Sequence, residues 1–134
     1  MTVPRRALLL TVVMMVTEQS AGAQAALAQE RVCDMSMQSV SLTLVDRAGR
    51  PVSNAAILVR RVQRRTLVRG ASSLGNGTYT VIEDGAVPDL RAGGEPFDVT
   101  FRRDDRIRRV RLIIGMDAAR CHVALKGGRS TVRF

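Results

Sequence analysis

Period-two alternation, cut every few residues by a turn signal, leaves this chain little to build except strands. Ser39–Val45 (SVSLTLV) puts Val40, Leu42 and Leu44 on one face and Ser39, Ser41 and Thr43 on the other. Asp46-Arg47-Ala48-Gly49-Arg50-Pro51 then reads as a turn, with Asp46 accepting backbone N–H groups, Gly49 taking positive φ and Pro51 setting the exit. Residues 54–62 (NAAILVRRV) and 66–69 (TLVR) read as two further strands. A loop over 70–77 closes on Asn76-Gly77, a strong hairpin signal, and leads into a strand over 78–82 with Tyr79 and Val81 on one face. Residues 83–96 read as loop. Phe97, Val99 and Phe101 alternate again, Arg103-Asp104-Asp105 forms a charged turn, and a strand over 106–114 turns Val110, Leu112 and Ile114 inward. Two last short strands fall over 121–125 and 131–134, around Gly127-Gly128. No amphipathic helix emerges beyond residue 28. The expected fold is therefore all-β, an immunoglobulin-like sandwich of seven to eight short strands. With three Phe, one Tyr and no Trp, its core has to be aliphatic.

The first residues point to export. Arg5 and Arg6 precede a ten-residue apolar run over 7–16, and small residues follow, as in a secretory signal peptide. The apolar run is too short to span a bilayer. Cleavage is expected after Ala23 or Ala28, so that 1–28 is a leader and 29–134 one sandwich domain, periplasmic or secreted, with no transmembrane anchor. Beyond the leader only Cys33 and Cys121 remain, and two cysteines in an exported chain read as a disulfide. Arg31-Val32 ahead of Cys33 does not fit a lipid-anchoring motif.

The segment 41–60, followed by Gly77-Thr78-Tyr79-Thr80-Val81, resembles the carboxypeptidase regulatory-like, transthyretin-like (prealbumin) domains. Asp46, Gly49, Pro51, Val52, Ala55, Ala56, Gly77 and Tyr79 carry the likeness, and Cys121-His122-Val123 is similar to the last-strand motif of small exported bacterial members. The resemblance implies the sandwich, and a pairing of Cys121 with a cysteine near the mature N-terminus. For function it implies accessory, adhesive or folding modules. The hydroxyisourate hydrolases on this fold use two histidines, an arginine and a Tyr-Arg-Gly-Ser terminus. Here there is one histidine and the terminal residues are Ser130-Thr131-Val132-Arg133-Phe134.

Nothing in the chain assembles usual catalytic chemistry, and no cofactor is expected. His122 stands beside a cysteine expected to be oxidised, Asp104-Asp105 sits among arginines, and no Cys-x-x-Cys, phosphate loop or spaced zinc set occurs. The chain is read as a non-catalytic binding module. Its net charge is +9, carried almost wholly by arginine, with Lys126 the only lysine; removing Arg5, Arg6 and Glu18 with the leader leaves +8. Arg60, Arg61, Arg64, Arg65 and Arg69 cluster on one hairpin, and Arg102, Arg103, Arg106, Arg108, Arg109 and Arg111 on another. Were the hairpins neighbours, one face would bind an acidic envelope component or a protein partner. Nucleic acid is not expected, because export opposes it and no aromatic platform accompanies the arginines. The alternative is a periplasmic copper protein using Met35, Met37, Met116 and His122, which a disulfide would draw together. A third reading is a structural subunit that pairs strand to strand with a partner's sheet.

Overall fold

A computed structural model describes residues 33–134, and the expected leader over 1–28 lies outside them. Nine strands run in the order β1 Ser39–Val45, β2 Ala56–Arg61, β3 Thr66–Leu67, β4 Ser72–Ser73, β5 Thr78–Glu83, β6 Glu95–Arg103, β7 Arg106–Met116, β8 Val123–Gly127 and β9 Thr131–Arg133. A 3-10 turn, Asp84–Asp89, separates β5 from β6. The strands form two sheets, β4-β5-β1-β9 and β3-β2-β6-β7-β8. Their buried faces share one core, which includes Leu42, Leu44, Tyr79 and Val81 from the first sheet and Val59, Phe97, Phe101, Leu112 and Ile114 from the second. The architecture is an all-β sandwich. Among the described residues no helix is long and apolar enough to cross a bilayer.

The turn after β1 is built as its residues require. Asp46 Oδ1 accepts from Ala48 N–H and Arg50 N–H, at 2.8 and 2.9 Å, and Gly49 sits at φ +81°. The chain then crosses from one sheet to the other through Pro51–Ala55. Tyr79 holds that crossing: its hydroxyl donates to the Val52 carbonyl (2.7 Å) and accepts from Ala55 N–H (3.0 Å), while its ring meets Phe101 edge-on at 5.1 Å. Gly77, at φ +79°, lies so close to this crossing that a Cβ there would stand 2.6 Å from Pro51 Cβ.

Several expected boundaries move. The strand expected over 54–62 is Ala56–Arg61, that over 66–69 is Thr66–Leu67, that over 121–125 starts at Val123, and β7 continues to Met116. The loop expected over 70–77 contains β4, whose serines carry no apolar pattern to reveal it. The loop expected over 83–96 contains the 3-10 turn and the first two residues of β6. In β5 strict alternation fails, because Val81 is the extra residue of a bulge opposite Val40/Ser41. Val81 and Ile82 are therefore both buried.

Candidate functional site: the arginine-lined cleft between β7 and β9

The two arginine hairpins are neighbours, since β2 pairs antiparallel with β6 and β6 with β7. They do not make a single patch, because alternation sends successive arginines to opposite faces. The outer face of the second sheet receives Arg60, Arg102, Arg109 and Arg111. Arg60, Asp98 and Arg111 form one cross-strand row, and Arg111 Nε donates to Asp98 Oδ1 at 2.7 Å. This hydrogen bond, with the nearby Arg60 and Arg109 charges, holds the Asp98 carboxyl below its ordinary range. Exposed Leu58, Leu67 and Ile107 stand among these arginines.

Arg61 is not a surface arginine. It turns inward beside Phe97 and is buried, with Nε donating to Glu95 Oε1 and Nη2 to the Asp89 carbonyl at 2.6 Å. Arg64 also donates to the Asp89 carbonyl, at 3.0 Å, so both arginines bind the end of the 3-10 turn. Arg65 lies in the β2–β3 turn at φ +54°, Arg69 lies exposed beyond β3, and Arg103 is 3.9 Å from the Asp104 carboxylate. Arg106 stacks on Phe134, 4.9 Å from the ring centre.

Arg108 faces away from the outer row. With Val110 it lines a cleft of about 790 Å³ between β7 and β9. Arg129 and Arg133 line it too, with Gly128, Ser130, Thr131 and Val132, and no carboxylate does; Arg111 borders it while its guanidinium is held by Asp98 on the outer face. Arg129 and Arg133 had no place among the residues expected to bind a partner. No local pattern marks them, since they reach the cleft only because the chain changes sheets between β8, on the edge of β7, and β9, on the edge of β1. Gly128 allows that passage at φ +102°, packed so that a Cβ would lie 2.7 Å from Leu112 Cδ2.

The two cysteines meet. Cys33 and Cys121 sit at bonding distance, with Cα atoms 5.4 Å apart across 88 residues of sequence. Beside them His122 is buried, at 7% exposure. Its Nδ1 is 2.7 Å from Asp84 Oδ2 and its Nε2 3.1 Å from Asp34 Oδ1. The Asp84 hydrogen bond, opposed by burial but joined by the Asp84, Asp34 and Asp117 charges, raises the imidazole above its ordinary value. For Asp84, burial pushes the carboxyl up, but hydrogen bonds from His122, Val123 N–H and Gln38 N–H outweigh it and leave it low. Asp117 Oδ1 accepts from Cys121 N–H and His122 N–H, shaping the turn that presents both residues. Asp84 was hidden in a stretch read as plain loop.

The copper candidates are therefore spread among different roles. Both nitrogens of His122 face carboxylates, Met116 packs partly against the core, and Met35 and Met37 are 98% and 74% exposed. Among the described residues no cluster of three or more His, Cys, Asp or Glu is arranged to hold a metal. Comparison with protein-family models, with curated proteins and with solved structures finds no match for this chain.

Proposed function

We propose that this chain is a non-catalytic exported binding module that takes an acidic partner into the cleft between β7 and β9. The observation that carries the reading is the lining itself: Arg108, Arg129 and Arg133 border one concavity with no carboxylate in its lining. Guanidinium groups suit carboxylate, sulfate or phosphate oxygens, which they can bind two at a time. The outer-face arginines Arg60, Arg102 and Arg109 add to the field that steers an anion toward this side of the molecule. The partner is an acidic envelope component or an acidic protein surface, met in the periplasm or outside the cell. Export is supported by the leader pattern over 1–28 and by two cysteines brought together. An immunoglobulin-like domain of the transthyretin-like kind is supported by the Asp46–Pro51 turn and by Tyr79 closing the crossing behind it.

Binding to heparin and to polyglutamate, followed from low to high ionic strength, tests the reading. Affinity should fall steeply with salt. It should be lost in an Arg108→Glu/Arg133→Glu double variant and kept in Arg91→Glu, which changes charge in the loop before β6. Salt-independent binding, or equal loss in Arg91→Glu, would refute it.

A further inference from the structure

β7 is paired along its length on one side only. Its register with β6 runs without a break from Arg106 to Ile114, but its register with β8 begins at Ile113. Residues 106–112 thus present a strand edge that pairs with no other strand among the described residues, with Gly128 packed against its Leu112 end, and this edge forms one wall of the arginine cleft. Backbone N–H and C=O groups along such an edge are a template for another strand. On the opposite wall, β9 is paired with β1 alone.

An unprotected edge usually pairs with its own kind. Here a second copy would bring one arginine-rich edge against another, and like charges close across a sheet are destabilising. The charges that repel a second basic edge favour a strand bearing carboxylates. Alternation makes the match two-sided. A strand laid along 106–112 turns every second side chain into the cleft beside Arg108, Arg129 and Arg133, and the others to the outer face beside Arg109. Phe134, seated on Arg106, marks one end of the edge, and the Gly128–Ser130 passage marks the other.

We infer that the occupant of the cleft is an extended acidic peptide segment of a partner protein, which joins the second sheet as an added strand along 106–112. This rests on the reading of the cleft as an anion site and adds to it main-chain pairing, which a polysaccharide or a phosphate cannot make.

The test sets three probes against the full chain: an alternating Asp-Val peptide, the same peptide N-methylated at every central residue, and heparin. Methylation keeps the charge and removes the N–H donors. The plain peptide should bind about tenfold or more tightly than the methylated one, a difference of the order of one or two net hydrogen bonds. It should also slow amide exchange within 106–112. Equal affinity of the two peptides, with no added protection at 106–112, overturns strand addition while leaving the anion site standing. If neither peptide nor heparin binds, the anion site fails and strand addition fails with it.

Discussion

At the scale of single residues, two polar side chains hold the sandwich together from inside. Tyr79 is one. Removing its hydroxyl in Tyr79→Phe leaves the buried Val52 carbonyl and Ala55 N–H without that partner, a loss of about 1–3 kcal/mol. Urea unfolding should show a lower midpoint with an unchanged slope. Arg61 is the other. Arg61→Ala strands Glu95, which is almost wholly buried, and should cost about 3–5 kcal/mol, whereas Arg61→Met/Glu95→Leu should recover most of it. If the double variant is no more stable than the single one, the Asp89 carbonyl and not Glu95 is the contact that matters. Tyr79 was legible in the sequence, as an apolar ring on the inward face of a strand. Arg61 was not, because residues 54–62 place it among arginines, and only Glu95, far along the chain, draws it inside.

At the scale of elements, the segment before β1 is tied to the 3-10 turn and to β8 through Asp84. Asp84 Oδ2 accepts from Gln38 N–H, Oδ1 from Val123 N–H, and Asp84 N–H donates to the Gln38 carbonyl. His122 joins the same node, so its stability depends on pH in both directions. The imidazole is raised above 6.5 in the folded chain, so its contribution is complete below 6.5 and lost as pH rises through the raised value. Asp34, Asp84 and Asp117 are lowered below 3.8, so theirs is complete above 3.8 and lost as pH falls through the lowered values. Thermal unfolding should be most resistant between these limits. His122→Asn should abolish the decline on the alkaline side and keep the decline in acid. An alkaline decline that survives in His122→Asn would assign it to another group. The elements themselves were largely legible: β1 has its expected bounds, and Phe97, Val99 and Phe101 face inward as alternation requires. Elements without an apolar period, such as β4 and the 3-10 turn, were not, because hydrogen bonding and not hydrophobic pattern defines them.

At the scale of the whole molecule, the Cys33–Cys121 pair closes nearly the entire described chain into a loop. In the chain-entropy account, a closure of 88 residues is worth roughly 4–5 kcal/mol, drawn from the unfolded state. Reduction, or a Cys33→Ser/Cys121→Ser variant, should lower the urea midpoint strongly, and the intact protein should resist alkylation until it is reduced. Free thiols on a folded protein would remove this closure from the account. What the sequence by itself determined is local: which stretches with an apolar period are strands, where Asp46–Pro51 turns, and which side chains of those strands face inward. These follow from a two-residue period and from the backbone preferences of Gly, Pro and Asp, which neighbours in the chain suffice to express. The fate of the charges was decided only by the tertiary structure. Arg61 is buried and Arg108 faces a cleft with Arg129 and Arg133, while His122 lies between two carboxylates. A charged side chain is stabilised by whatever partner the packed sheets bring near, and those partners stand on distant strands.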